Sequence, residues 1–462
     1  MRFFTNLRPQ TVEIYAQQGY SSSAWLLSSH RTSPQTLALA AELRGSGADL
    51  MADNGTKPLI DTVIASLAGE ARPLLKAHRA LRKDQGEPSM SAMPDTVRRP
   101  ARELAAKVAD AVDALLSERD WEAVVGEQLA MDPTHLIAPE DFCIGALVGL
   151  GLDRAMTGWS LDQFRRRNRI SLAGWKRLAE DSRTRGRRTF VTLAAADYQS
   201  ARAAAQLAAE QGASHVAVGF AGLNNLQTAT QWTSLQRRRR LSRATGRRYL
   251  ELAEILLGIR DGYAGGPTPL LHFHALGLGS RAQYALLAAL LPADTEISVD
   301  ATSPLHDAVQ GRVLYDAPAQ GRSRRVDNLA EQIVQGVELP LDGVFLETAR
   351  RVHGHDPAAA RGWWQQAGQP SIGMGALKPG EPLAETLGWL ASGPGSSTTA
   401  VTSHWIGHNH AVCDVLTSAV PAEGTAAWAR AEIQRLLSTQ GFTLRHAART
   451  WLEILDWLEP KP

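Results

Sequence analysis

Short apolar segments of strand character alternate with helical segments along this chain, and this alternation constrains the fold more than any other feature. Two β-α-β units show it, at 24–52 and at 189–220. The predicted strands are 24–29, 48–52, 189–193 and 215–220, and the predicted helices are 33–44 and 198–211. Parallel strands need long crossover connections, usually helices, so the pattern predicts a parallel sheet with crossover helices.

The same pattern recurs toward the middle of the chain. Helices are predicted at 248–260 and 281–290, and strands at 270–274 and 296–299. A chain of 462 residues accommodates a barrel of about 250 residues with additions. We therefore predict an α/β fold, a (β/α)₈ TIM barrel, over residues 1–345.

About eighty residues separate Asp53 from the strand predicted near 135–141, far more than an ordinary connection uses. Apolar residues repeat there at helical spacing at Leu104, Val108, Val112 and Leu115. This predicts a helical insertion at about 62–128, after an early strand. Residues 346–462 are predicted to form a mostly helical C-terminal region packed on the barrel, with helices near 358–366, 405–418, 426–437 and 451–457.

The bulk composition excludes several classes of protein. Only Cys143 and Cys413 are present, so there is no disulfide framework. The first residues lack the apolar core of a signal peptide, and no run approaches the ~18 apolar residues of a membrane span. We expect a cytoplasmic protein with no membrane partner. The net charge of +2 does not by itself indicate a nucleic-acid partner.

Carboxylates follow three of the predicted strands where the sequence turns to Gly, Pro and polar residues. They are Asp53, the pair Glu140 and Asp141, and Asp300. In a barrel the carboxyl ends of the strands meet at one mouth, so these groups are predicted to converge. The alternative for each is a turn former or a helix N-cap.

The spacing around Asp300 carries a family resemblance. Asp300 is followed by Pro304, Ala308 and Gly311, as in the active-site strand of the tRNA-guanine transglycosylase family. Four further stretches resemble motifs of that family and follow in its order: Leu50 to Gly55, His135 to Asp141, Phe273 to Ser280, and the pair His408-Asn409.

The resemblance implies a double displacement through a covalent glycosyl-aspartate. Asp300 would be the nucleophile and Asp53 the general acid/base. Glu140 or Asp141 would accept hydrogen bonds from the guanine amidine edge, and the sequence does not choose between them. The turn at 219–222, with Gly219, Ala221 and Gly222, resembles the loop whose backbone binds the base. Leu276, before Gly277, would stack on one face of the base, although a plain core role is the alternative.

Departures from the family pattern bear on which branch of the family the chain resembles, and therefore on which nucleic acid it would modify. The family's tRNA enzymes bind zinc through three closely spaced Cys and the His of the His-Asn pair, and no such Cys cluster exists here. The usual zinc site is expected to be lost, and no cofactor is implied. A replacement site among His353, His355, His404, His408, His410 and Cys413 is the alternative.

The missing Cys cluster, the Asp-Asn-Gly loop at 53–55 and the absence of an appended RNA-binding domain resemble the DNA-acting branch of the family. That branch exchanges guanine in DNA for 7-cyano-7-deazaguanine, a 7-deazaguanine base. The alternatives are a tRNA-guanine transglycosylase without the usual zinc site and a non-catalytic barrel that binds nucleic acid. The need for a helper ATPase and the oligomeric state stay open.

One arginine cluster is predicted to contact the phosphate backbone beside the mouth. Its members are Arg237, Arg238, Arg239, Arg240, Arg243, Arg247 and Arg248. Guanidinium groups offer a planar donor fork that suits phosphate. The alternative is a solvated helix face.

Overall fold

The computed structural model describes residues 1–9, 11–13, 22–85, 94–152, 154–220, 247–306, 313–315, 323–325, 406, 409–410, 412–421, 424–438 and 445–458. Eight parallel strands close into a barrel in chain order. They are β1 (Arg2–Asn6), β2 (Ala24–Ser28), β3 (Asp49–Asp53), β4 (His135–Ile137), β5 (Arg188–Thr192), β6 (His215–Gly219), β7 (His272–Leu276) and β8 (Glu296–Asp300). Strand β1 pairs with both β2 and β8, which closes the ring. The predicted (β/α)₈ TIM barrel is confirmed.

Helices cover the outside of the barrel. Those in the strand connections are α1 (Pro34–Gly45), α2 (Lys57–Gln85), α3 (Asp95–Glu118), α4 (Trp121–Leu129), α5 (Cys143–Gly149), α6 (Arg154–Thr157), α7 (Leu161–Glu180), α8 (Tyr198–Glu210), α9 (Arg247–Tyr263) and α10 (Arg281–Leu290). Capping boxes at Ser160, Asp197 and Ser280 fix where α7, α8 and α10 begin, because each pairs a side-chain acceptor with otherwise unsatisfied backbone N–H groups.

Strand residues alternate between the helical layer and the barrel interior. Outward residues such as Trp25, Leu50 and Phe273 join one large apolar core with the helices. The inward apolar residues form a separate small cluster that consists of Phe4, Ala24, Leu26, Met51, Ile137, Phe190 and Ala217, with Leu276 packed against it. Inward positions at the amino end and on β7 and β8 are polar instead, including His135, His272, His274 and Ser298. The interior is therefore a packed but partly polar core.

The insertion between β3 and β4 consists of α2, α3 and α4. Leu104, Val108 and Val112 are fully or nearly fully buried on α3, as their helical spacing predicts. Gln128 on α4 donates through Nε2 to the carbonyl oxygens of Ala52, at 3.1 Å, and Ile137, at 2.8 Å. These two bonds attach the insertion to the ends of β3 and β4.

After β8 the described residues include α11 (Ser303–His306) and the antiparallel pair β9 (Val313–Tyr315) and β10 (Ser323–Arg325). Farther along, α12 (Ala426–Ser438) and α13 (Arg445–Leu458) pack on α10 and α9. The helix predicted near 358–366 lies outside the described residues. Among the helices within the described ranges, none combines the length and apolar character needed to cross a membrane.

Candidate active site

The mouth at the carboxyl end of the barrel brings together side chains from distant parts of the chain. Asp53 ends β3, Thr192 ends β5 and Asp300 ends β8, and all three occupy inward positions of their strands. Glu140 follows β4 by three residues and interacts electrostatically with Asp53. Asp53 in turn interacts with Asp300. The mouth therefore holds three neighbouring carboxyl groups.

The loop after β3 fixes the position of Asp53. Its Oδ2 accepts from Ser28 Oγ at 3.0 Å, and its Oδ1 accepts from the Asn54 backbone N–H at 2.8 Å. Asn54 is buried and donates through Nδ2 to the Ala138 carbonyl at 2.7 Å. Gly55 has φ of 70°, in the left-handed region, and a Cβ there would lie 2.8 Å from Ser29 Oγ, so the turn requires glycine.

Burial raises the pKa of Asp53 above its usual value. The Asp300 charge raises it further, while the hydrogen bonds from Ser28 and Asn54 oppose the shift. Like charges that face each other disfavour the state in which both are ionised. Asp53 is thus well placed to carry a proton.

Asp300 is held at the end of β8 with only 7% of its surface exposed. Its Oδ1 accepts from the Gly277 backbone N–H at 3.2 Å. Nε2 of His274, on the neighbouring strand β7, lies 3.5 Å from the same oxygen, close for an ion pair but outside good hydrogen-bond geometry. Both contacts fall on Oδ1, so within the described part of the chain Oδ2 is the oxygen available to a substrate.

Glu140 and Thr192 form a polar wall of the mouth. Burial raises the pKa of Glu140 to about 7, and the Asp53 charge contributes, while Thr192, Asn54 and Arg119 counteract it. The Thr192 hydroxyl is buried beside Glu140 but is not well aligned with any partner among the described residues. Both groups can therefore bind polar atoms of a ligand.

Arg119 brings a cation to the mouth from the insertion, in the turn between α3 and α4. It donates through Nη1 to Thr56 Oγ1 at 3.2 Å and through Nη2 to the Asn54 carbonyl. Its guanidinium carbon lies 4.8 Å from the centroid of the Trp121 ring. Burial lowers the pKa of Arg119, and Glu140 and Asp53 oppose that shift. Arg119 therefore stabilises the loop that carries Asp53.

Asp141 is directed away from the mouth. Its Oδ1 accepts from the Cys143 backbone N–H at 2.8 Å, where α5 begins, and its Oδ2 lies 3.0 Å from Arg167 Nη1. Arg167 also pairs with Asp113 on α3. Of the two acids between which the sequence did not choose, Glu140 borders the mouth and Asp141 joins helices.

Of the other residues predicted to bind the base, Leu276, Gly219 and Gly277 lie among the described residues. Leu276 occupies an inward position beside Asp300, and Gly219 is exposed with open space where a Cβ would lie. The Gly277 N–H is already engaged with Asp300. Ala221 and Gly222 lie outside the described residues.

The arginines predicted to contact phosphate also lie outside the described residues, except that the backbone of Arg247 and Arg248 begins α9. Their contact with nucleic acid stays a prediction.

Metal ligands are not assembled in the described ranges, where no group of three or more His, Cys, Asp or Glu could hold an ion. His410 Nδ1 donates a hydrogen bond to the Ile406 carbonyl at 3.0 Å. Burial lowers the pKa of His410 to about 4. Cys413 is buried in the apolar core. His353, His355, His404 and His408 lie outside the described residues, so the predicted loss of the zinc site stays a prediction.

Sequence reasoning did not single out Thr192, Arg119 or His274 as members of the site. The sequence could have indicated Thr192 and His274, because each occupies an inward position on a strand that the sequence pattern predicts. Arg119 carried no local signal, since the insertion folds back to the mouth through tertiary contacts.

Comparisons with known proteins do not identify a family for this chain. No protein-family model matches it. No curated protein shows significant similarity to it.

Proposed function

We propose that this protein exchanges guanine in DNA for a 7-deazaguanine base, 7-cyano-7-deazaguanine, through a covalent glycosyl-aspartate on Asp300. The observation that carries the proposal is the grouping of Asp53, Glu140 and Asp300 at one barrel mouth, with the pKa of Asp53 raised by burial and by Asp300. A nucleophilic carboxylate and a second carboxyl that holds a proton are the parts that double displacement at a sugar carbon requires.

The first step breaks the bond between the sugar C1′ and the guanine nitrogen. Asp300 Oδ2 attacks C1′, the bonding electrons leave with the base, and the Asp53 carboxyl supplies the proton that neutralises the base. In the second step the ring nitrogen of the incoming base attacks C1′, its proton passes to Asp53, and Asp300 leaves as a carboxylate. Exchange regenerates both groups without water or a redox change.

Glu140 and Thr192 would bind the base. An ionised Glu140 accepts hydrogen bonds from the N1–H and the amino group that guanine and its deaza analogues share. The Thr192 hydroxyl, which lacks a well-aligned partner among the described residues, is available to the same base. Leu276, next to Asp300 in the barrel, would pack on the ring face.

Assignment to DNA rests on the resemblance given above, and one experiment separates it from the alternatives. Purified protein is incubated with duplex DNA or with tRNA plus labelled guanine, and incorporation is measured. Nucleoside mass spectrometry of DNA and tRNA from cells with and without the protein covers a requirement for cellular partners. Modified DNA supports the proposal, and modified tRNA alone supports the zinc-free tRNA enzyme. If neither nucleic acid is modified, the result supports the non-catalytic barrel that binds nucleic acid.

Variants test the roles of the carboxylates. Asp300→Asn should abolish exchange and the covalent adduct that a denaturing gel resolves from free protein. Asp53→Asn should slow exchange by about 10²- to 10⁴-fold, the usual contribution of a general acid/base. Asp294→Asn, exposed before the other end of β8, is the matched control and should exchange normally. Normal exchange by Asp300→Asn would overturn the mechanism.

A further inference from the structure

Two neighbouring strands carry polar side chains through the barrel interior toward Asp300. Strand β7 contributes His272 and His274, and β8 contributes Ser298 at the facing position. His272 is 1% exposed, and His274 and Ser298 are 0% exposed. Branched apolar side chains usually fill these positions in barrels of this type, so a line of buried polar groups calls for a physical explanation.

The groups form a continuous series from the amino end of the barrel to the mouth. Arg188 Nη1 lies 3.2 Å from His272 Nδ1, and His272 Nε2 lies 2.8 Å from Ser298 Oγ. Ser298 Oγ lies 2.8 Å from His274 Nδ1. His274 Nε2 then faces Asp300 Oδ1 at 3.5 Å.

The direction of the series follows from its first member. Arginine only donates, so His272 Nδ1 must accept and the proton of a neutral His272 must be on Nε2. That proton goes to Ser298 Oγ. The hydroxyl proton of Ser298 is then assigned to His274 Nδ1, the other partner that Ser298 Oγ has among the described residues, so that this buried hydroxyl both accepts and donates. His274 is left with its own proton on Nε2, directed at Asp300.

Two observations support the neutral form and this orientation of His272. Burial lowers the pKa of His272 far below its usual value, and the other interior imidazoles and Arg188 lower it further. Glu296 Oε2, an acceptor that would favour a proton on His272 Nδ1, lies 3.7 Å away and is paired with Arg188 at 2.6 Å.

We propose that Arg188, acting through His272 and Ser298, fixes His274 in the Nε2–H form and makes it a positioning residue for Asp300. This inference rests on the proposed base exchange. Nε2–H and the Gly277 N–H would together hold Oδ1, so that Oδ2 attacks the sugar carbon. Hydrogen bonds at catalytic groups are often long without substrate and tighten in the complex, which accommodates the present separation.

The first test reads the proton positions without any substrate. Two-bond nitrogen-proton NMR of histidine-labelled protein distinguishes the imidazole tautomers, and His272→Gln and His274→Gln assign the two rings by loss of signal. Both rings should carry the proton on Nε2 at neutral pH. A proton on Nδ1 of either ring, or a charged ring, would overturn the proposal.

Variants of Arg188 test whether it sets the direction. Arg188 is 44% exposed in its side chain, so substitution there should not prevent folding. Arg188→Met should give mixed tautomers at both rings, whereas Arg188→Lys retains a donor and should keep the wild-type spectrum. An unchanged His274 in Arg188→Met would contradict the coupling.

The last test asks whether the series matters to Asp300. Ser298→Ala should lower kcat for formation of the covalent adduct about tenfold and leave KM nearly unchanged, as expected for the loss of one hydrogen bond. The matched control is His215→Gln, another interior histidine outside the series. An unchanged adduct rate in Ser298→Ala would remove the positioning role. Absence of adduct in the wild type would instead reject the proposed exchange, and the NMR result would stand alone.

Discussion

Glu140 combines partial burial with a titration near neutral pH, and this has a consequence for stability. Its pKa is raised to about 7 because the folded site desolvates the carboxylate. Below pH 4.5 the group is protonated in folded and unfolded chains alike. As pH rises from there to about 7 the unfolded chain loses the proton first, so stability falls over this window and stays reduced above it.

Glu140→Gln should therefore stabilise the protein at pH 8 and leave its stability unchanged at pH 4. The gain should be no more than about 3 to 4 kcal/mol, since each unit of pKa shift corresponds to about 1.4 kcal/mol. Urea unfolding monitored by tryptophan fluorescence at both pH values measures it. Glu210→Gln, at an exposed position, is the control. A difference that is the same at both pH values would reject this account of Glu140.

The carboxylates at the mouth were accessible from sequence because each follows a recognisable strand. Asp53 and Asp300 both lie where barrel topology predicts. The choice between Glu140 and Asp141 was not accessible, because it depends on Arg167, which reaches Asp141 from α7. Neighbours distant in the chain decide which way a side chain is directed, and their approach leaves no local pattern.

Helices α8 and α9 meet along a seam of small residues. A Cβ on Gly262 would lie 2.5 Å from Ala205 Cβ and 2.8 Å from the Arg202 carbonyl oxygen. Gly258 and Gly266 stand in the same relation to Ala201 and Ala209. The absence of a side chain at Gly258 and Gly262 on α9, and at Gly266 just beyond its end, lets the two backbones approach closely and keeps both helices against the barrel.

Gly262→Ala should destabilise the protein by about 1 to 3 kcal/mol, because the extra methyl group forces the helices apart. Gly69→Ala on α2 is the matched control, since nothing lies within 4 Å of the added Cβ. That control should stabilise by about 0.5 to 1 kcal/mol through helix propensity. Chemical denaturation compares the two. Stabilisation by both substitutions would show that the contact between α8 and α9 accommodates an added methyl group.

At the level of elements, periodicity predicted most of the barrel. Strands β2, β3, β5, β6, β7 and β8 lie within two residues of their predicted positions. Strand β1 was not predicted, since Arg2–Asn6 has neither strict alternation nor a long apolar run. It is stabilised by pairing with β2 and β8, which only the closed barrel provides.

At the scale of the whole molecule, a buried ion pair joins the C-terminal helices to the barrel. Arg281 at the start of α10 lies 2.8 Å from Glu432 on α12, with 8% and 10% of the two side chains exposed. Arg281 also donates to the Leu416 carbonyl and lies over the Trp428 ring at 5.5 Å. One arginine thus contacts two C-terminal segments.

Arg281→Met should cost about 3 to 5 kcal/mol, because it removes the buried partner of the Glu432 carboxylate, leaves that charge to the more exposed Arg435, and takes a donor from the Leu416 carbonyl. The double variant Arg281→Met, Glu432→Leu should recover part of that loss. Arg435→Ala removes the more exposed partner of Glu432 and should cost under about 1 kcal/mol. Thermal unfolding of the wild type, the two single variants and the double variant compares their stabilities. Equal losses for Arg281→Met and Arg435→Ala would mean that the buried pair does not hold the helices.

The helical insertion cannot be treated as a removable module. Replacing α2, α3 and α4 with a short connection would delete Arg119 and Gln128 together. The Asn54 carbonyl, and those of Ala52 and Ile137, would then lose donors that the insertion supplies. An engineer who seeks a minimal barrel from this chain would have to rebuild the support of the Asp53 loop, because here an apparent decoration is part of the scaffold of the mouth.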